Sequence, residues 1–402
     1  MRRWMRRKQP SANAWLGMLF LICLFFFSAR NLFSEDRVFS ETENRYLEQM
    51  PILRLSELMD GRFMTSFEKY QTDQFFSRDS WIEFRSVTDR FLGKNESGGV
   101  YLGKDGQLYE KPEELRAQVW KNLDAIKKFA GNHSDKRIYL LLAPGAAGVK
   151  PEGLPPFAPV ADQAEQLRQI HAYINGAVQE ISVYETLREH REEYLYYRTD
   201  HHWTTLGAWY AFVQAEQVME LEETSGMEVY PVTNRFQGTL ASRSGYRVSS
   251  DTISVFWPEE EERLVVTYVE EQKKSASLYA SKKLETRDQY GVFLNGNHPV
   301  VKIRTMAEGE RTLLILKDSY ANCFVPFLTS HFREIVLVDP RYYYGNVDVL
   351  MEEQEFTDIL FLYNLNTFLE DDVLHFVLEG PEESDQGSVK EISCFKRNFW
   401  II

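Results

Sequence analysis

"TLLILKDSYANCFVPFL", residues 312–328, contains the strongest signal for the fold of this chain. It begins with a short apolar run, and Lys317, Asp318 and Ser319 follow that run at once. A short apolar run bounded by polar residues is typical of a strand buried on both faces of a sheet. We therefore expect Ser319 at the carboxyl end of a central strand and at the start of a helix.

Similar apolar runs occur on both sides of this strand. "KRIYLLLAP" (136–144) precedes it, while "REIVLVDP" (333–340) and "TDILFLYN" (357–364) follow it. Helical patterns lie between successive runs, for example near residues 113–130. The repeated order of strand and helix predicts an α/β fold with a mostly parallel sheet.

Residues 227–305 break this order and predict a β-rich insertion. "DTISVFW" (251–257) and "RLVVTYV" (263–269) suggest paired strands on either side of an acidic turn. "YGVFLNGNHPVVKIRT" (290–305) suggests two more strands joined through a turn. Upstream of the first apolar run, "GGVYLGKDGQLYE" (98–110) predicts a hairpin that turns at Asp105-Gly106.

The N-terminus predicts a membrane anchor. Five basic residues precede an uncharged stretch at 11–29, which is only just long enough to cross a bilayer. A cleaved signal peptide is the alternative. With an anchor, the basic residues place a tail, 1–10, in the cytoplasm and everything after Arg30 outside. We expect a helical stem at 30–97 and the α/β domain at 98–402.

The charge balance of the exterior part disfavours nucleic-acid binding. The first 30 residues hold six of the 46 basic residues and no acidic residue, so the remaining 372 residues carry a formal charge of -20. We find no cluster of basic residues there for phosphate contacts. Cys23 lies in the apolar run, and Cys323 and Cys394 alone are too few for a disulfide-built fold.

Asp200 and His202, in "RTDHHWTTLGAWYAF" (198–212), are the residues that suggest a catalytic role for Ser319. A serine hydroxyl needs a base to remove its proton, and the base works best when a carboxylate fixes its tautomer. Residues two apart in an extended segment project to the same side. The segment ends a predicted strand, so we predict a catalytic triad of Asp200, His202 and Ser319.

Two other interpretations of these residues are open. Ser319 is also a good N-cap residue, and capping alone would explain it. Asp200, His201, His202 and His298 are residue types that bind zinc, but adjacent histidines in an extended segment point opposite ways. In the triad interpretation, His201 is buried or lines a substrate groove, and we predict no metal ion.

The sequence resembles the DHHW family, whose name is the tetrad at residues 200–203. The resemblance covers nearly the whole exterior part, and its most specific pieces are "RTDHHWTTLGA" (198–208) and "LKDSYANCFVPFL" (316–328). Supporting pieces are "ENRYLEQMP" (43–51), "GGVYLGKDGQLY" (98–109), "GNHP" (296–299) and "VDPRYY" (338–343).

This family more distantly resembles the periplasmic alginate O-acetylation proteins, which have an SGNH-hydrolase-like domain. The resemblance implies a flavodoxin-like, mostly parallel sheet with a circularly permuted motif order. In that order an Asp-x-His pair, matched by Asp200 and His202, precedes the serine, matched by Ser319. It further implies an acyltransferase or esterase that acts on a cell-wall or secreted polysaccharide without a cofactor. A partner membrane acyltransferase would supply the acyl group.

The sequence departs from the SGNH pattern at two points. Lys317 stands where those enzymes carry a glycine before Asp-Ser, and their oxyanion glycine and asparagine have no clear match. We expect Asn295 or Asn297 to donate to the oxyanion, with an Asn-Gly turn as the alternative. Tyr320 is a candidate substrate contact. These departures motivate a second hypothesis, a non-catalytic protein that binds polysaccharide or acts in its assembly.

Overall fold

The computed structural model describes residues 11–40, 45–224, 227–247, 249–258 and 263–379. The predicted basic tail at 1–10 and Cys394 lie outside these residues. The chain forms two compact units, residues 1–92 and 93–402.

The first unit is mainly helical in its described part. A short ladder, β1 (Phe39–Ser40) with β2 (Arg45–Tyr46), accompanies helices α1 (Ala12–Phe33), α2 (Leu55–Met59), α3 (Arg62–Asp73) and α4 (Arg78–Phe91). Helix α1 is long and apolar enough to cross a membrane, and it has no buried residue. These features are compatible with a membrane anchor or a signal sequence.

The second unit is a mixed α/β structure. Its strands are β3 (Glu96–Ser97), β4 (Val100–Leu102), β5 (Leu108–Glu110), β6 (Arg137–Ala143), β7 (Gln179–Glu180), β8 (Met227–Phe236), β9 (Asp251–Pro258), β10 (Val265–Tyr268), β11 (Lys273–Ser275), β12 (Val300–Arg304), β13 (Thr312–Lys317), β14 (Glu334–Val338) and β15 (Asp358–Asn364). Its helices are α5 (Ala117–Asn132), α6 (Ala146–Val149), α7 (Gln163–Ile174), α8 (Tyr184–Glu189), α9 (Thr205–Val218), α10 (Thr239–Ser244), α11 (Val347–Glu353), α12 (Leu365–Glu370) and α13 (Leu374–Glu379).

The large sheet confirms the predicted α/β fold. Its order is β11-β10-β12-β14-β13-β15-β6-β7, and the five strands from β14 to β7 run parallel to one another. Strands β12, β10 and β11 continue the sheet in antiparallel pairs. The four apolar runs of the sequence are four adjacent interior strands, β14, β13, β15 and β6.

Both faces of the sheet are covered, which explains why these strands are apolar throughout. Side chains alternate along β13: Leu313 and Ile315 pack into one core with helix α9, while Leu314 and Leu316 pack into a second core with helices α5 and α7. Each of these four leucine and isoleucine residues is fully buried.

The hairpin near residue 105 is also confirmed. Strands β4 and β5 pair antiparallel, and β3 adds a third strand. Asp105 and Gly106 have φ angles of 53° and 78°. Aspartate and glycine tolerate this left-handed region better than other residues, so the dipeptide fits the turn.

Residues 227–305 contain the five strands β8 to β12, but the predicted pairings are wrong. Strand β9 pairs with β8 in a separate two-stranded sheet, whereas β10 joins the large sheet between β11 and β12. In the last predicted pair of strands, only Val300–Arg304 is a strand. Residues 289–292 form a 3-10 turn instead, and Leu294, Asn295 and Gly296 have positive φ angles that end the extended run.

Candidate active site

Ser319 lies at the carboxyl end of β13, as predicted, but an α-helix does not follow it. A 3-10 helix, Ser319–Cys323, begins at once and a second one, Val325–Leu328, follows. The N-cap is Asp318, whose carboxylate accepts from the backbone N–H of Tyr320 at 2.8 Å. The capping interpretation of Ser319 is therefore wrong, and its hydroxyl is available for another role.

Polar side chains join the ends of three neighbouring parallel strands. The second carboxylate oxygen of Asp318 accepts from the backbone N–H of Asn364, at the end of β15, at 2.9 Å. The side-chain amide of Asn364 in turn donates to the carbonyl oxygen of Ala143, at the end of β6, at 3.2 Å. Sequence reasoning missed Asn364, although a polar residue ending an apolar run was the same signal that identified Ser319.

The DHHW segment forms a tight turn rather than the end of a strand. Tyr196 bridges to Trp203, and the backbone N–H of His202 donates to the Asp200 carboxylate at 3.0 Å. Helix α9 starts directly afterwards with Thr204 as its N-cap, which accepts from the backbone of Gly207. The turn closes the chain so that Asp200 and His202 face the same side.

The three predicted triad residues come together. Ser319 Oγ donates to Nε2 of His202 at 2.7 Å, and Nδ1 of His202 donates to Oδ1 of Asp200. All three residues are at most 9% exposed. A chain of hydrogen bonds from hydroxyl through imidazole to carboxylate is the arrangement that activates a serine nucleophile.

Other groups hold the carboxylate oxygen of Asp200 that does not contact His202. Its second oxygen accepts from the backbone N–H of Thr239 at 2.7 Å and from the Thr239 hydroxyl at 3.1 Å. Gly238 lies so close that a Cβ atom there would collide with the carboxylate. Sequence reasoning missed Thr239 and Gly238, because neither belongs to a recognisable motif.

The pKa values fit a charged carboxylate beside a neutral imidazole. Burial raises the pKa of Asp200, but His202, His201 and the hydrogen bonds from His202 and Thr239 outweigh it and hold that pKa below its ordinary value. Burial lowers the pKa of His202, with His201 acting in the same direction and Asp200 opposing. A histidine that stays neutral near pH 7 can accept the serine proton.

Hydrogen bonds of Trp203 and Tyr320 connect the DHHW segment to the segment that carries Ser319. Trp203 is fully buried and its indole N–H donates to the carbonyl oxygen of Tyr320 at 3.0 Å. The Tyr320 hydroxyl donates to the carbonyl oxygen of His201 at 2.5 Å. Tyr320 is only 1% exposed and holds the backbone at His201, and its contact with substrate stays a prediction.

Neither predicted oxyanion donor contacts the serine. Among the described residues, no hydrogen bond joins Asn295 or Asn297 to Ser319. Asn297 instead accepts from Asn322 at 3.0 Å and from Lys317 at 3.4 Å. Lys317 is buried, and its Nζ lies 3.8 Å from the carboxylate of Asp339. The lysine that stands in place of the SGNH glycine therefore belongs to a buried polar cluster next to Ser319.

His201 lies beside the triad. Its ring is 3.9 Å from that of His202 between centroids, and its Nδ1 is 2.7 Å from the Thr239 hydroxyl. The expectation that the two histidines point opposite ways is wrong, because the segment is a turn. Asp200, His201 and His202 offer possible metal ligands within 4.8 Å of one another. Both ring nitrogens of His202, however, are already hydrogen-bonded within the triad.

A small cavity opens beside this group. It has a volume of about 10 Å³ and is lined by Asp200, His201, Leu240 and the small residues Gly145 and Ala146, among others. That is room for about one water molecule. Asp200 is the triad residue that lines this space, whereas His202 and Ser319 do not line it.

The fold and the site define a class of protein, an α/β protein with a serine, a histidine and an aspartate joined at the carboxyl edge of its sheet. The model of the DHHW protein family matches residues 158–338 of the chain. This segment of the chain is therefore similar to the DHHW family, in agreement with the resemblance of the sequence. No match was found among curated proteins.

Solved structures share the fold. A DHHW family protein from Eubacterium siraeum is 22% identical with a TM-score of 0.61, covering 71% of this chain and 96% of that one. PatB1 from Bacillus cereus, solved with a sulfonyl adduct, is 17% identical with a TM-score of 0.58, covering 69% and 97%. The O-acetyltransferase domain of AlgJ from Pseudomonas putida is 15% identical with a lower TM-score of 0.43, covering 74% and 99%.

Proposed function

We propose that this protein is a membrane-anchored enzyme that transfers or hydrolyses an acyl group on a cell-wall or secreted polysaccharide. The observation that carries the proposal is the hydrogen-bonded chain from Ser319 through His202 to Asp200. The family resemblance is the reason for proposing acetyl as the acyl group and a carbohydrate as the substrate.

The reaction proceeds in two steps through an acyl-serine. Ser319 Oγ attacks the acyl carbonyl carbon while His202 Nε2 takes the hydroxyl proton. The donor's ester bond breaks, and its leaving oxygen takes that proton back from His202. The acyl group is then an ester on Ser319. Asp200 holds the imidazole in the required tautomer and stabilises its charged form.

The second step decides between the two activities. A hydroxyl of the sugar or a water molecule gives its proton to His202 and attacks the acyl-serine, and Ser319 leaves with a proton from His202. A sugar acceptor makes the protein a transferase, and water makes it an esterase. The chemistry requires no cofactor, because the serine carries the acyl group throughout.

The anchor sets where the reaction takes place. If α1 spans the membrane, the basic residues before it favour a cytoplasmic N-terminus and place the second unit outside. An exterior transferase then needs acyl groups delivered across the membrane. By resemblance, the partner that delivers them is a membrane acyltransferase.

Labelling and turnover of the full chain in mild detergent test the proposal. Wild type should react with a fluorophosphonate probe and release acetate from an activated ester, and Ser319→Ala and His202→Ala should lose both activities. A sulfonyl fluoride is a second suitable probe, because PatB1 was solved with a sulfonyl adduct. Ser250→Ala and His190→Ala, whose side chains bond elsewhere, are matched controls. Labelling that survives in Ser319→Ala would exclude this nucleophile.

A binding role without catalysis is the second candidate. It is favoured by the departure from the SGNH pattern at Lys317, whose side chain and that of Asn322 both donate to Asn297, one of the two expected oxyanion donors. It predicts that wild type binds polysaccharide, that Ser319→Ala binds equally well, and that no serine probe reacts. Turnover by wild type would remove this candidate.

A further inference from the structure

Helix α4 is amphipathic, but its apolar face is the exposed one. Trp81, Phe84, Val87 and Phe91 are 44%, 65%, 50% and 89% exposed. Their spacing of three or four residues places them on one side of the helix. Aromatic and branched side chains at this spacing usually face a protein core, and here they form a continuous outward stripe.

The opposite side of the helix is polar and faces inward. Ser86 is fully buried and Asp89 is 9% exposed. At the end of the preceding helix, Asp73 is also buried and accepts from the backbone N–H of Glu48. The first unit thus buries polar groups and leaves a row of large apolar side chains uncovered. Such a row on a folded protein marks an interaction surface.

Ring contacts connect this surface to helix α1. The ring of Phe27 in α1 lies 5.6 Å from that of Trp81 and 6.1 Å from that of Phe75. Trp81 continues the contact outward to Phe84 at 6.3 Å. The exposed stripe therefore begins at α1 and leads away from it along α4.

The position of Phe27 along α1 determines how deep its contact with Trp81 would lie in a membrane. It lies two residues before Ala29, the end of the uncharged stretch, which is about 3 Å of helix. Arg30, the first charged residue after that stretch, lies over the ring of Phe76 at 4.5 Å. If α1 spans a bilayer, its contacts hold Trp81 at the boundary between hydrocarbon and headgroups, where tryptophan is enriched.

We infer that the face of α4 formed by Trp81, Phe84, Val87 and Phe91 lies on the surface of the lipid bilayer that α1 crosses. This inference goes beyond the proposed enzyme activity and rests only on its membrane anchor. The bilayer, rather than another protein, is the expected occupant, because the stripe starts at the only described helix apolar and long enough to cross a membrane.

The charges on α4 indicate which lipids this surface needs. Arg78, Arg85 and Arg90 are balanced by Asp79, Glu83 and Asp89, so the helix carries no formal net charge. Attachment through the apolar stripe then depends on burial of aromatic side chains rather than on attraction to anionic lipid. Zwitterionic vesicles should suffice.

Spin labels on the full chain in phosphatidylcholine vesicles test this inference. In a chain with Cys23→Ser and Cys394→Ser, which retains the buried Cys323, labels are placed by Phe84→Cys and Phe91→Cys. The matched controls are Glu83→Cys and Arg90→Cys, one residue earlier on the same helix. We expect labels at 84 and 91 to collide more with dissolved oxygen than with a water-soluble nickel complex, and labels at 83 and 90 to show the reverse.

Two results would overturn the inference. Equal access of the nickel complex to all four positions would mean that the stripe faces water. Low collision rates with both reagents at 84 and 91 would mean that protein covers the stripe, either the second unit or another copy. If a variant at 84 misfolds, Val87→Cys replaces it on the same face. Carbonate extraction of the vesicles reports separately on α1, so loss of the anchor and loss of the surface contact are distinguishable.

Discussion

The ring of Tyr290 stacks on the imidazole of His202, with ring centroids 3.8 Å apart and planes 12° from parallel. The Tyr290 hydroxyl donates to the carbonyl oxygen of Ser319 at 3.3 Å and lies 3.4 Å from Sγ of Cys323. One side chain thus contacts both the base and the backbone of the nucleophile. Aromatic stacking of this kind contributes about 0.5–1.5 kcal/mol, enough to favour one ring orientation.

Substitutions of Tyr290 should therefore lower kcat with little change in KM. Tyr290→Phe keeps the ring and loses one hydrogen bond, so we expect a loss of less than about 10-fold. Tyr290→Leu removes the stacking and should lose about 10-fold or more. Steady-state ester hydrolysis measures both. Tyr279→Leu is the control, because Tyr279 packs on the same Phe293 ring without a contact to His202. Equal activity of the Phe and Leu variants would contradict a role for stacking.

Much of the fold was predictable because buried parallel strands have a strong local signal. The runs around Leu140, Leu314, Val336 and Leu360 are apolar on both faces, and each is a central strand. The same logic located Ser319, since strand ends converge at one sheet edge. The pairing of β9 with β8 was not predictable. A half-apolar strand can pair with several partners, and tertiary contacts choose among them.

The rest of the site could not be read from the sequence because distant segments supply it. Tyr290 lies 88 positions from His202 along the chain, and Gly238 and Thr239 lie 38 and 39 positions from Asp200. Residues 290–294 are apolar enough to resemble a strand, which concealed the role of Tyr290. The pairing of Asp200 with His202 was predictable because it depends only on local spacing.

Gly238 should be intolerant of any side chain. Gly238→Ala places a methyl group against the Asp200 carboxylate and displaces it from His202. Because the carboxylate fixes the tautomer of the base, we expect kcat to fall by about 10²-fold or more. Gly131→Ala is the matched control, since nothing lies within 4 Å of the added Cβ in helix α5 and alanine favours a helix. Full activity of Gly238→Ala would show that the carboxylate position is not critical.

The pH dependence of kcat/KM should report the lowered pKa of His202. The base acts in its neutral form, so activity rises with pH as His202 loses its proton. Because burial and His201 hold the pKa of His202 below 6.5, the midpoint of this rise should lie below pH 6.5. His201→Ala removes one lowering influence, so the midpoint should move to higher pH. A profile measured for His190→Ala should match wild type. An unchanged midpoint in His201→Ala would contradict the coupling.

Lys317 should make stability depend on pH in the alkaline range. Burial lowers the pKa of Lys317 from 10.5 to about 8, with Arg341 acting in the same direction and Asp339 and Asp318 opposing. The unfolded chain then binds more protons than the folded chain between about pH 8 and 10.5, so the free energy of unfolding rises with pH across this window. The full shift corresponds to about 3 kcal/mol.

Lys317→Met lacks this titration, so its free energy of unfolding should rise less than that of wild type between pH 8 and 10.5. Denaturant titrations of the full chain in detergent, at several pH values, measure the difference. Tyrosines and other lysines titrate in the same window, and subtracting the variant from wild type removes their contribution. Lys274→Met, at an exposed position, should keep the wild-type slope. Parallel curves for wild type and Lys317→Met would mean that the lysine has the same pKa folded and unfolded, and that Asp339 fully compensates its burial.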